Sequence, residues 1–375
     1  MQQYSQFKAL LAIAKASLRA IFRSPQSVFF SMFFPIVLIV IFGAISNGGG
    51  GISMDVAIDK KADTSNAVYE AIKHSPFLYF HSGSEDSLVD LMQKGKITAL
   101  INIVKLPKTS DKEFERDFTD KYNIQLRSSS ANQRELPGLQ AILENTIEKI
   151  NKGAGVTSPS IATISKPDII QGREYKLIDF YLPGMIGFSL IGSAVFGVAF
   201  LFYSLRETLV LKRLYASPIR KRNIILGETL SRIIFQLFTV VILILFGTFF
   251  YHFTLANGIE TFLNMLVVST LAVLVFMGVG FIISSVAKNQ NVIPIYSNLF
   301  MIPQYFLSGT FFSKAALPNN IQWLIKILPL TALNDSLRKI SFEGAHITSC
   351  GKEIGVLAIW GIIVYAIAIK VFRWE

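Results

Sequence analysis

The sequence is poor in charge and in cysteine. Only 16% of its 375 residues are charged, against about 25% in an average soluble domain, and its mean hydropathy is +0.47. A soluble chain of this composition would leave too much apolar surface in water, and disorder requires a low hydropathy, so both classes are excluded. Cys350 is the only cysteine, which excludes an internal disulfide and a cysteine-based metal site. The composition indicates a membrane protein with a sizeable soluble part.

Six apolar segments have about the 20-residue length that a helix needs to cross a bilayer core. The first five contain no charged residue, and the sixth has only Lys370 near its end, where a lysine reaches the interface. Six such runs disfavour buried core helices of a soluble protein. The first run is predicted to be a retained anchor, with a cleaved signal peptide as the alternative. The segments are residues 26–46, 182–205, 233–251, 262–287, 292–312 and 354–372.

The net charge of +11 predicts the orientation of these segments. Four stretches that share one side of the membrane, if every segment crosses, hold 13 basic and two acidic residues and so account for the whole charge. The positive-inside rule makes that side cytoplasmic. Both termini are therefore expected in the cytoplasm, and no nucleic-acid partner is expected.

Residues 47–179 form a nearly neutral insert of 17 basic and 18 acidic residues, long enough for one domain. Its strand and helix patterns alternate, which is typical of an α/β domain, and the topology places it outside the cytoplasm. His74 and His81 are interpreted as surface histidines, and neither a catalytic group nor a metal site is expected. The predicted fold is an α-helical polytopic membrane protein with six transmembrane helices (1+5) and an inserted α/β extracytoplasmic domain.

The first 25 residues predict an amphipathic helix. Apolar residues recur at three- and four-residue steps over residues 4–22, and the basic residues Lys8, Lys15, Arg19 and Arg23 share the other side. Such a helix lies in the cytoplasmic interface of a membrane. The loop 206–223 is also basic, but its apolar residues favour a docking surface for a cytoplasmic partner. Lipid anchoring is the alternative for this loop.

Three motifs carry a resemblance to a known family. The run Lys212-Arg-Leu-Tyr-Ala-Ser-Pro-Ile-Arg-Lys-Arg-Asn-Ile-Ile-Leu-Gly-Glu228 resembles the cytoplasmic loop and following helix start of type 2 ABC exporter permeases. The second motif is Asp179-Phe-Tyr-Leu-Pro-Gly184, which opens the second span and is similar to a run in that family. The third is a series that is also similar to the family: Phe306-Leu-Ser-Gly309, then Leu328-Pro-Leu330, and finally Arg338. The insert resembles the large outer domain of a drug-exporter branch. Ser313 and Lys314 depart from the family pattern, which often has proline or acidic residues there.

The resemblance implies half of a transport pore in a bacterial cytoplasmic (inner) membrane. Such permeases form homo- or heterodimers and export amphipathic substrates, with a periplasmic adaptor as a further candidate partner. No Gly-x-x-x-x-Gly-Lys-Ser/Thr loop occurs in the sequence, in agreement with a subunit that lacks its own ATPase site. This chain is thus expected to be no enzyme and to bind no cofactor, since ATP and Mg²⁺ belong to a separate ABC ATPase subunit.

The resemblance also implies site residues, none of them catalytic or metal-binding. The ATPase-docking (coupling) residues are expected to be Leu209, Leu211, Lys212, Arg213, Leu214, Tyr215, Ser217 and Pro218, aided by the helix of residues 1–25. In the fifth span, Tyr296, Asn298, Gln304 and Tyr305 are polar, and both pore contact and helix packing remain open for them. An outer re-entrant segment is expected over 313–342, its turn marked by Gly309, Pro318, Trp323 and Pro329.

Helical spacing predicts two local ion pairs as well. These are Glu228 with Arg232 and Asp335 with Arg338.

Three rival functions remain. An importing permease usually needs a binding protein. A membrane receptor or sensor would need a cytoplasmic output domain, and the longest predicted inner loop is too short to form one. A secondary transporter usually shows internal repeats and ionisable groups in mid-membrane, and neither is visible in the sequence.

Overall fold

The computed structural model divides the chain into two compact units, Met1–Gly48 with Lys176–Glu375 and, separately, Gly49–Tyr175. The first is called the helical unit and the second the insert, and each is described by itself. The residues that the structure describes are 5–47, 54–93, 97–106, 121–132, 135–153, 161–170, 176–208, 219–312, 314 and 317–371.

The helical unit begins with two helices separated by a break at Arg23 and Ser24. Helix α1 (Gln6–Phe22) is capped by Ser5, whose side chain accepts a hydrogen bond from the Lys8 amide. Ser24 caps the next helix, α2 (Pro25–Val28), which has Pro25 at its first position, where the missing amide proton costs nothing. A π-helical turn, Phe29–Phe33, then leads into α3 (Phe34–Asn47).

The described residues of the insert contain a six-stranded mixed sheet. Its strand order is β2-β1-β3-β4-β5, with β6 also paired to β4. Strand β1 runs parallel to β2 and β3, and β3 and β4 are antiparallel. Its elements are β1 (Met54–Ile58), α4 (Ala67–Lys73), β2 (Leu78–His81), α5 (Glu85–Gln93), β3 (Ala99–Lys105), β4 (Tyr122–Ser129), α6 (Leu136–Gly153), β5 (Ala162–Ile164) and β6 (Asp168–Ile170).

Alternation along the strands of the insert gives each face of the sheet its own core. Val56 and Ile101 point to the face covered by α4 and α6, whereas Ala57 and Leu100 point to the face covered by α5. Both faces are therefore buried, as in sheets whose parallel strands are joined by crossover helices.

The rest of the helical unit contains longer helices. In chain order they are α7 (Leu177–Glu207), α8 (Lys221–Tyr251), α9 (Ile259–Val286), α10 (Val292–Leu307), α11 (Gln322–Ile327), α12 (Pro329–Ser341) and α13 (Gly351–Val371). Helices α7 and α9 approach closely, because a Cβ on Gly280 would lie 2.7 Å from Val198 Cβ and 2.8 Å from the Val195 carbonyl. Small residues allow this spacing between membrane helices.

Five helical segments among the described residues are long and apolar enough to cross a membrane: Pro25–Phe42, Leu177–Glu207, Arg222–Tyr251, Ile259–Val286 and Ile347–Val371. Helix α10 is apolar but has only 16 residues, about 24 Å at 1.5 Å per residue. It ends at Leu307, before the predicted residue 312, because Gly309 adopts φ +68° just after the capping Ser308. A left-handed glycine in this place is a common helix stop.

His81 in the insert is partnered, unlike a simple surface histidine. Its Nε2 lies 2.9 Å from Asp55 Oδ1. The hydrogen bond with Asp55 raises the pKa of His81 above the ordinary 6.5, and burial of the ring opposes this rise. The charged form of His81 is therefore stabilised in the folded insert.

We expect the insert to lose stability as the pH rises above 6.5. The folded pKa of His81 is raised, so its contribution is complete below the unfolded value and disappears as the pH passes through the folded value. Hydrogen exchange of the β1 and β2 amides in the full chain, corrected for intrinsic rates, measures this. His81→Gln and Asp55→Asn should each flatten the pH dependence, and an unchanged slope in both variants would contradict the assignment.

Candidate functional site

One end of the helical unit is built from α1 and the first turns of α8. The Gln6 side-chain oxygen accepts hydrogen bonds from the Arg220 amide (3.0 Å) and from Asn223 Nδ2 (2.9 Å). A Cβ on Gly227 would lie 3.0 Å from Ile13, so the two helices also pack closely. Helix α1 is thus fixed to the residues that directly follow the loop 209–218.

Helix α1 carries three parallel stripes. Gln6, Leu10, Ile13 and Ser17 recur at the spacing of one helix face, and this face lies on α8. Phe7, Leu11 and Phe22 form a second, exposed apolar stripe. The predicted basic residues, Lys8, Lys15, Arg19 and Arg23, are exposed beside it. An exposed apolar stripe bordered by basic residues suits a helix at a membrane surface.

The predicted docking residues Leu209, Leu211, Lys212, Arg213, Leu214, Tyr215, Ser217 and Pro218 lie outside the described residues. The structure places the residues that flank them. Helix α7 ends at Glu207, and the Thr208 hydroxyl donates to the Ser204 carbonyl. On the far side, Arg220 is bound to Gln6.

Glu228 and Arg232 interact as opposite charges, as predicted, but they do not form a direct ion pair. Ser17 of α1 donates to Glu228 Oε1 at 2.5 Å, and no ion pair within 4.0 Å joins Glu228 to Arg232 in the described part of the chain. The second oxygen of Glu228 and Nε of Arg232 are buried without a hydrogen-bond partner. The carboxylate thus ties α1 to α8.

The four polar residues of α10 divide into two pairs. Gln304 is 2% exposed and binds within the chain, since it accepts from the Leu330 amide and donates to the Phe300 carbonyl, both at 3.2 Å. The ring of Tyr305 packs 4.5 Å from that of Phe188. Tyr296 and Asn298 instead lie on an exposed face of α10. Helix packing accounts for Gln304 and Tyr305, whereas Tyr296 and Asn298 remain open to a pore, a partner or lipid.

At the other end of the helical unit, Arg338 joins two motifs that are distant in sequence. Its guanidinium donates to the Phe180 carbonyl, with Nη2 at 3.1 Å, and to the Gly309 carbonyl at 2.5 Å. The guanidinium carbon also lies 4.0 Å from the centre of the Phe180 ring. Asn334, one turn earlier, donates to the Ser308 carbonyl and Thr310 Oγ1, each at 3.1 Å. We call these six residues the polar cluster.

The ion pair of Asp335 corrects a second prediction. Its carboxylate binds Lys314 Nζ at 2.5–2.6 Å, so Arg338 is not the partner that sequence spacing favoured. Of the other residues predicted in this segment, Pro318 and Trp323 are exposed, and Pro329 is buried at the start of α12. The departure of Lys314 from the family pattern therefore has a structural role.

Sequence reasoning missed the role of Asp179. This fully buried side chain accepts from the Lys176 amide, the Thr254 amide (2.8 Å) and the Thr254 hydroxyl. It caps α7 and holds the chain just after α8. An acidic residue in the first turn of a helix, directly before an apolar run, is the signal that could have indicated the cap.

Apolar helices of spanning length, together with a broken segment held by buried polar side chains, are features of a helical membrane protein. The model of the ABC-2 family transporter proteins matches residues 25–370. The chain therefore belongs to the ABC-2 transporter family, whose members are the transmembrane subunits of ABC transporters and work with ABC ATPase subunits.

Individual relatives support this assignment. The chain is 21% identical over 394 residues to the linearmycin resistance permease protein LnrN of Bacillus subtilis, an alignment that covers 98% of this chain and 100% of that protein. It is 23% identical over 193 residues to the inner membrane transport permease YadH of Escherichia coli, covering 52% of this chain and 73% of that protein. It is 26% identical over 218 residues to ABC transporter G family member 20 of Dictyostelium discoideum, covering 58% of this chain but only 29% of that protein.

We expect Gly309→Ala to destabilise the permease by about 1–2 kcal/mol, the cost of a left-handed conformation for a residue with a Cβ. The added methyl would also lie 3.1 Å from Lys314 Cγ and 3.2 Å from Arg338 Nη1. Thermal unfolding of the purified protein in detergent measures the change. Gly355→Ala is the control, because a Cβ there meets nothing within 4 Å and alanine should stabilise this helix by about 0.5–1 kcal/mol. Equal midpoints for both variants would contradict the proposed constraint at Gly309.

Proposed function

We propose that this chain is the transmembrane subunit of an ABC exporter that moves an amphipathic compound out of the cytoplasm or inner leaflet. The observation that carries the proposal is the attachment of α1 to the start of α8, on the far side of the loop 209–218. The end-to-end similarity to a linearmycin resistance permease supports export of a compound that harms the cell. A separate ABC ATPase subunit would bind ATP and Mg²⁺.

The coupling route in this proposal begins at the loop 209–218. The ATPase subunit would bind the loop together with α1. Because Gln6 binds Arg220 and Asn223, and Ser17 binds Glu228, a movement of α1 would carry the start of α8 with it. Helix α8 then runs to the opposite end of the helical unit.

A second permease copy, identical or homologous, would complete the pore. The support lies on α10, where Ile295 and Leu299 are 63% and 74% exposed and Phe306 is 55% exposed. These residues share a face with Asn298, whose amide is better accommodated by a protein partner or a wet path than by hydrocarbon. We therefore propose that this face of α10 meets the other copy or borders the transport path.

In the proposed orientation, both termini and the loop 206–223 lie in the cytoplasm of a bacterial cell, and residues 47–179 lie outside the cytoplasmic membrane. The support is the distribution of basic residues. The sixth span of this topology would be α10 with the residues that follow it. The broken segment through α11 and α12, close to the predicted 313–342, would then line the outer exit.

Charge reversal in the coupling loop tests the docking proposal. We expect Lys212→Glu with Arg213→Glu to abolish co-purification of the ATPase subunit and the stimulation of its ATPase activity, because like charges would replace the proposed contacts. The matched control is Lys326→Glu with Lys352→Glu, two exposed lysines at the other end of the helical unit, which should retain both properties. Unchanged assembly and stimulation in the loop variant would refute docking through this loop.

Single cysteines test the orientation. In a Cys350→Ser background, we expect a cysteine at the exposed position Ser87 of the insert to react with a membrane-impermeant maleimide in spheroplasts. A cysteine at the exposed Lys8 should react only after permeabilisation. The reverse pattern would overturn the proposed topology.

A further inference from the structure

The break between α1 and α2 forms one wall of an open cavity. The cavity has a volume of about 630 Å³ and is lined by Phe22, Pro25, Gln26, Val28, Phe29 and Phe33. This size is typical of pockets for small ligands. Three of its six lining residues are phenylalanines, each about half exposed, so the cavity offers an unusually aromatic surface.

The shape of the cavity follows from two local features. Phe22 is held in place at the end of α1, since its ring packs edge-on against the rings of Phe235 and Phe238 at 5.2 and 5.6 Å. The π-helical turn Phe29–Phe33 adds a residue to one turn of the first span and so changes the direction of the side chains around it. Turns of this kind are frequent at functional sites.

Two basic residues flank Phe22 of the cavity in the sequence. Arg19 and Arg23 are exposed, one turn before Phe22 and directly after it, and both precede Phe29 and Phe33. Residues 1–54 contain no acidic residue, so no neighbouring carboxylate in this part of the chain neutralises the two arginines. A ligand that complements this arrangement has an anionic head next to an apolar tail.

We propose that this cavity is a binding site for an anionic phospholipid. One acyl chain lies against Phe22, Phe29 and Phe33, and the headgroup phosphate binds Arg19 and Arg23. The order of the groups fits this occupant, because the two arginines precede the apolar span, whereas Phe29 and Phe33 lie in its first turns. In a leaflet, the phosphate likewise precedes the acyl chains. The site would fix the angle between α1 and the first span.

An anionic lipid fits better than a second copy of this chain. The same surface of a second copy would bring its own arginines against Arg19 and Arg23, and like charges repel. A zwitterionic lipid fills the apolar part equally well but gains less from the two arginines. The site is defined without reference to the direction of transport, so its test is independent of the proposed export.

Quenching of a single tryptophan by brominated lipids measures this binding. The full chain carries Phe33→Trp in a background where Trp323, Trp360 and Trp374 are phenylalanine, in vesicles of phosphatidylcholine. We expect brominated phosphatidylglycerol to be preferred over brominated phosphatidylcholine by about fivefold for each arginine that contacts the headgroup. Phe29→Trp is a second reporter in case the first protein does not reconstitute.

Three controls decide between a built site and ordinary lipid contact. A tryptophan at Ile362, which is 72% exposed on α13, should show no such preference. Arg23→Gln should lower the preference at position 33 about fivefold, whereas Lys8→Gln, about 22 Å away along α1, should leave it unchanged. An equal preference at positions 33 and 362, or equal effects of Arg23→Gln and Lys8→Gln, would overturn the proposal.

Discussion

Backbone groups that leave a helix inside a membrane protein must find hydrogen-bond partners within the protein, and this constraint shapes the helical unit. The chain leaves helical geometry after α10 and regains a long helix only in α12. Arg338 donates to the Phe180 and Gly309 carbonyls, Asn334 to the Ser308 carbonyl, and Gln304 accepts from the Leu330 amide. Because these donors and acceptors come from three separate segments, the satisfied backbone also fixes how α7, α10 and α12 meet.

The apolar runs of the sequence predicted the long helices well, since burial in lipid needs only length and hydropathy. The ends of these helices were less predictable. Helix α8 begins at Lys221, well before the apolar run at residue 233, because its first polar turns pack on α1 instead of facing lipid. Helix α10 ends early because Gly309 has a left-handed conformation. The dipeptide Ser308-Gly309 is a helix stop signal that hydropathy alone does not detect.

Charged pairs were the least predictable part of the candidate site. Spacing of three or four residues favoured Glu228 with Arg232 and Asp335 with Arg338, but such pairs contribute only about 0.2–0.5 kcal/mol on a helix. Tertiary partners outweigh so small a preference. Glu228 binds Ser17 and Asp335 binds Lys314, and neither partner can be found without knowing which segments meet. The coupling residues 209–218, which the resemblance singled out, lie outside the described part of the chain and remain a prediction.

Helix α8 connects the two ends of the helical unit. It has 31 residues, about 46 Å at 1.5 Å per residue, and it contains no proline, whereas α7 contains one and α10 contains two. Side chains hold both of its ends: Gln6 binds Asn223 at the start, and Asp179 binds Thr254 just past the end. Proline is one of the common causes of a helix kink, and α8 lacks it. In the proposed coupling, a movement of α1 would therefore reach the cap of α7 and the neighbouring polar cluster through α8.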